Sequence, residues 1–105
     1  MAQENKRDMT LYEVVMKLNS PEECKRFFED LCTQAELRAM EQRFQVALCL
    51  HRGMVYVDIS EKTGVSSATV SRVRHAMLEG GAGGVMQEVL RREMPADGGA
   101  KEPEV

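Results

Sequence analysis

An all-helical domain is the fold this sequence predicts, and three observations predict it. The chain of 105 residues is 43% hydrophobic and 30% charged, the balance of one small globular domain. It has no Trp and 5% aromatic residues, and its long stretches of Leu, Glu, Arg, Lys, Gln and Ala favour helix over strand. Apolar residues recur at helical spacing through most of its length. A core of this size is marginal alone.

The elements follow in order. "TLYEVVMKL" carries Leu11, Val14, Val15 and Leu18 on one helical face, which predicts a first helix over about 10–18. Ser20, Pro21 and Glu23 make a helix start: a hydroxyl cap, a Pro where its missing N–H is harmless, and Glu three residues after the cap. The second helix then runs to about Cys32. Thr33 and Glu36 repeat the device and open the longest helix, in which Leu37, Met40, Phe44, Ala47 and Leu48 trace one apolar face. Val46, Cys49 and Leu50 add a second strip before Gly53 ends the helix. A helix apolar on two sides calls for cover on both, as a partner chain would give.

"MVYVDISEKTGVSSATVSRVRHAML" holds two short helical patterns separated by Gly64, the spacing of a helix-turn-helix at about 55–78. Val55 or Tyr56 and Ile59 point inward, Ser60 is small where the helices approach, Gly64 takes the positive φ of the corner, and Val65 plugs it. Ser66 caps the second helix, whose Val70, Val73 and Met77 form the buried face. The opposite face is then Ala68, Ser71, Arg72 and His75, flanked by Ser67 and Arg74. Small residues at a helix start let the backbone approach base edges, Arg bonds guanine or phosphate, and Ser bonds either. The helix N-terminus itself favours a phosphate.

Charge placement agrees with that face. The net charge is −3 overall, yet residues 43–78 hold five basic groups (Arg43, Arg52, Lys62, Arg72, Arg74) against Asp58 and Glu61. On this reading Ser67, Ala68, Ser71 and Arg72 face bases or nearby phosphates, and Lys62, Ser66, Arg74 and His75 position the DNA backbone. Double-stranded DNA is the expected partner. A helical protein-interaction module, or a DNA-binding accessory factor without a regulatory role, stays open as an alternative.

Other classes lack their marks. No apolar stretch is long enough for a membrane span, and the polar start "MAQENKRDMT" has no apolar signal region, so a cytoplasmic protein is expected. Cys24, Cys32 and Cys49 form no CxxC pair, which points to reduced thiols without a metal site. There is no nucleophile elbow, phosphate loop or HExxH; no enzyme activity and no cofactor are expected. "EGGAGG" reads as a flexible break, "VMQEVLRRE" as a short helix with Val85, Val89 and Leu90 on one side, and "MPADGGAKEPEV" as a disordered end. The expected organisation is a flexible arm over 1–9, a helical domain over 10–94 and a disordered tail over 95–105.

"FFEDLCT", "QRFQVALCLHRG", "ATVSRV" and "GVSSATVSR" resemble segments of the Trp-repressor-like helix-turn-helix family, most closely its YerC/YecD branch, over about residues 11–84. The resemblance implies a Trp-repressor-like helical bundle forming an intertwined homodimer. It also implies a transcriptional regulator, most simply a repressor, reading two half-sites about one helical turn apart. It further places Thr33, Arg43 and Arg72 where those repressors surround a bound tryptophan. There the arginine is followed by a glycine that leaves room for the indole, whereas this chain has Val73, and a nearby serine becomes Ala76. Valine would fill that cavity, so Thr33, Arg43, Arg72 and Val73 are a weak candidate effector pocket. The chain is expected to bind DNA without L-tryptophan; the sequence names no other effector. Val57 and Ser60 stand where those repressors carry basic residues, which implies fewer phosphate contacts from the first helix of the motif.

Overall fold

The structure, a computed structural model, describes residues 7–79 and 84–95. The expected arm up to residue 6, the glycine-rich break over 80–83 and the tail from 96 onward lie outside the described residues. Every regular element among the described residues is a helix: α1 (Leu11–Val15), α2 (Pro21–Leu31), α3 (Gln34–His51), α4 (Tyr56–Thr63), α5 (Ser67–Glu79) and α6 (Val85–Glu93). The chain divides after Leu37 into two compact units.

In the first unit, local capping sets the helix boundaries. Thr10 and Glu13 close a full capping box on α1, with Glu13 N–H donating to Thr10 Oγ1 at 3.1 Å and Thr10 N–H to Glu13 Oε1 at 2.9 Å. Arg7 adds a two-pronged contact to the same carboxylate at 3.1 and 2.7 Å, and holds Glu13 below the usual carboxylate range, helped by the Thr10 N–H. α1 is shorter than its apolar spacing predicts. After Val15, the N–H groups of Lys17 and Leu18 bond carbonyls three residues back, at Val14 and Val15, tightening the chain into a turn before the next cap.

Ser20 caps α2 by accepting from Glu23 N–H at 3.0 Å. The Glu23 carboxylate reaches past the cap to Asn19 N–H at 2.7 Å, so the box is displaced by one residue. Phe27 and Phe28 meet edge to face, with centroids 5.3 Å apart. Thr33 and Glu36 then make the expected reciprocal box on α3, at 3.0 and 2.8 Å. No residue of α1 or α2 is buried.

The second unit holds the core: Val46, Ala47, Leu48 and Cys49 of α3, Ile59 of α4, Val70, Val73 and Met77 of α5, and Leu90 of α6. Both apolar strips of α3 are therefore covered at its C-terminal end, while Met40 and Phe44 on its middle turns remain 38% and 46% exposed. Gly53 ends α3 at φ 83, with its N–H on Leu50 O and Met54 N–H on Cys49 O. These are the paired bonds of a Schellman turn, which requires a left-handed residue there. α6 spans the expected residues and buries Leu90 of the expected face, but the face is turned so that Met86 and not Val85 joins it. Leu90 is buried and Met86, one turn earlier, packs against the core, whereas Val85 is 58% exposed. The reason is that α6 packs on α5 of the same chain, which selects the Met86–Leu90 row.

Candidate nucleic-acid interface

α4 and α5 form the helix-turn-helix from local rules. Gly64 closes α4 at φ 81 and ψ 6, with its N–H on Ser60 O at 2.8 Å. A Cβ here would meet no atom within 4 Å, so backbone conformation is what calls for glycine at the corner. Thr63 tightens the same turn by donating its hydroxyl to Ile59 O at 2.7 Å, and Val65 packs against the core below it. Ser66 Oγ then accepts from Thr69 N–H at 3.2 Å and donates to Thr69 Oγ1 at 3.3 Å, starting α5 where a cap was expected.

The two faces of α5 separate cleanly. Val70, Val73 and Met77 are 0%, 5% and 4% exposed. Ser67, Ala68, Ser71, Arg72, Arg74 and His75 are all exposed, as are Ser66 at the cap and Lys62 in the last turn of α4. Small residues cluster at the start of the helix and the basic ones follow, so the backbone is most accessible where the helix dipole is positive. α4 buries Ile59 and leaves Val57, Asp58, Glu61 and Lys62 outward. That outward face carries two acids and one base, a poorer phosphate surface than the outer side of α5. Ser60 is half-buried, and its Oγ is sealed from solvent with no hydrogen-bond partner among the described residues.

The candidate effector residues are placed differently from one another. Val73 is part of the core. Thr33 has its hydroxyl engaged in capping α3, and Arg43 and Arg72 are exposed. A groove of about 240 Å³ beside α4 is lined by Arg38, Glu41, Gln42, Gln45, Lys62 and Thr63. None of the four candidates lines it, and its charges are mixed. Gln42 crosses it to donate to Thr63 O at 3.4 Å, a contact that sequence reasoning missed because its partners lie far apart in the chain.

Known proteins extend the picture. The family model described as Trp repressor protein matches residues 8–94. The uncharacterized protein YerC of Bacillus subtilis is 43% identical over 70 residues, 67% of each chain. A TrpR-like protein from Eubacterium eligens superposes with a TM-score of 0.71 at 40% identity, covering 79% of this chain and 84% of that one. A protein described as a candidate Trp repressor from Staphylococcus aureus gives 0.70 at 35% identity, covering 89% and 94%. No helix among the described residues is long and apolar enough to cross a membrane. Helix order, the glycine corner and the sequence match lead to one conclusion: the chain belongs to the Trp repressor family.

Proposed function

We propose that this protein is a sequence-specific DNA-binding transcriptional regulator, a repressor in its simplest form, that works as a homodimer and does not depend on tryptophan. One observation carries the reading: within the basic stretch of the chain, α5 buries Val70, Val73 and Met77 and turns Ser67, Ala68, Ser71 and Arg72 to solvent. That is the arrangement of a helix that lies in a major groove. Ser66, Lys62, Arg74 and His75 flank it as backbone contacts.

The homodimer is supported by apolar surface without cover. α1 and α2 bury no residue, and Leu31, Met40 and Phe44 are 56%, 38% and 46% exposed. Such surface on a small domain marks an interface. Independence from tryptophan is supported by Val73, which occupies core volume beside Arg72. Three free cysteines suit a cytoplasmic protein.

The test is selection of bound sequences from a random duplex pool, with and without L-tryptophan, near physiological salt. The expected product is a palindrome whose half-sites lie about 34 Å apart, recovered equally in both arms. Arg72→Ala should then weaken specific binding by about 1–3 kcal/mol and relax one base position. Recovery only with tryptophan would refute effector independence. A monomer by sedimentation at micromolar concentration would refute the two-half-site geometry.

A second reading, a protein-interaction module, is favoured by Val55 and Val57, which are 61% and 66% exposed beside Asp58 and Glu61. A complex of that kind would lack the steep loss of affinity with salt that released counterions impose on DNA binding.

A further inference from the structure

Several features of α6 converge on one atom of α5, the backbone carbonyl oxygen of Met77. Met77 lies in the last turn of α5, where carbonyls have no donor inside the helix. The amide of Gln87 in α6 satisfies both of its neighbours in one orientation, assigned on that ground, in which Nε2–H donates to Met77 O at 2.9 Å and Oε1 accepts from Arg91 Nη2 at 3.2 Å. Gly84, the residue before α6, lies so close that a Cβ there would stand 2.8 Å from the same oxygen, and its φ is +64. The close approach and the side-chain bond are independent, since one depends on a backbone without Cβ and the other on an amide one helical turn further on.

The electrostatics explain what the contact does. The last turn of α5 contains no basic residue, so nothing in α5 itself opposes the negative end of its dipole. Arg91 lies in the last turn of α6, and Gln87 links its guanidinium to the carbonyl end of α5. The other end of α6 is tied to α3, where His51 Nε2 meets Met94 O at 2.5 Å. Leu90 is buried in the shared core between these ties.

We propose that Gln87 is a positioning residue for DNA binding: held by Arg91, it caps the C-terminal turn of α5 and so keeps the exposed Ser71, Arg72 and His75 face ordered before DNA arrives. The proposal rests on the DNA-binding reading of α5. A helix ordered in advance loses less conformational freedom on binding, so weakening the cap lowers affinity without changing which bases are preferred.

The experiment uses the full chain with three replacements of Gln87. Gln87→Ala removes the side-chain bond. Gln87→Glu keeps the shape but has no N–H to donate. Gln87→Lys restores a donor and adds a charge suited to a helix C-terminus. Two readouts are taken: amide hydrogen exchange over Arg74–Leu78 in the free protein, and anisotropy titration of the duplex selected by the wild-type chain. In Gln87→Ala and Gln87→Glu, exchange should rise about fivefold and affinity fall by a similar factor, the equivalent of one ordinary hydrogen bond. Gln87→Lys should stay within about twofold of wild type in both, and base preference should be unchanged in all three. Wild-type exchange in Gln87→Glu would overturn the cap. Faster exchange with unaltered affinity would overturn the positioning role. If the wild-type chain selects no duplex, the DNA-binding reading falls and takes the positioning role with it, while exchange in the free protein still decides whether Gln87 caps α5.

Discussion

Replacing Val73 tests structure and function together, because this side chain is assigned both to the core and to the filled effector cavity. It is 5% exposed and packs in the cluster with Ile59, Val70 and Met77. Val73→Ala removes two methyl groups, about 1.6 kcal/mol at 0.8 kcal/mol for each buried carbon, and the residual cavity raises this to about 2 kcal/mol. Val73→Gly removes the remaining methyl and adds a helix-propensity cost of about 1 kcal/mol, for a total near 4 kcal/mol. Against the 5–15 kcal/mol typical of a domain, the first variant should fold and the second should be close to its limit. Urea unfolding at one fixed protein concentration measures both, the concentration being held because subunit association would shift the midpoint. A Val73→Ala cost within about 0.5 kcal/mol of zero, the range of surface substitutions, would refute the core assignment. Thermal unfolding with millimolar L-tryptophan supplies the second arm. A ligand that binds the native state raises the transition; wild type should be unmoved, and a clear rise would sink the filled-cavity argument.

Two further predictions concern single polar groups. Ser60→Ala should stabilise the protein by about 1 kcal/mol, because it removes a buried hydroxyl without a partner and installs a better helix former. A lower melting temperature would refute the reading of this hydroxyl as unpartnered. Glu13 has its folded-state pKa depressed by Arg7 first and by Thr10 N–H second. Its contribution to α1 is therefore present above the ordinary carboxylate range and is lost as pH falls through the depressed value. Since the Glu13 side chain remains 41% exposed and its partners lie within the same short segment, the effect should be local: amide exchange in α1 should quicken on acidification in wild type and be insensitive to pH over that range, apart from intrinsic chemistry, in Glu13→Gln. Equal acid sensitivity in both would remove Glu13 as the cause.

Features settled within about one helical turn can be read directly from the order of residues. The Thr33–Glu36 box, the Ser20 and Ser66 caps, the ends at Gly53 and Gly64, and the Val70–Val73–Met77 stripe are all legible, because each depends on residues three or four apart and on backbone geometry that one residue type satisfies. That is why the helix-turn-helix and the outward set of α5 could be written down from spacing alone. The tertiary structure decided the contacts between elements. Leu90 of α6 is buried as its spacing predicts, but packing on α5 brought Met86 to the core and left Val85 outside. The Gln87–Met77 contact depends on which helix lies opposite, and the sealed Ser60 hydroxyl on burial that spacing does not specify. The apolar spacing of α1 promised a longer helix than the turn after Val15 allowed. Hydrogen bonds at helix ends are satisfied locally, whereas burial and the pairing of distant polar groups depend on the approach of segments that local sequence does not specify.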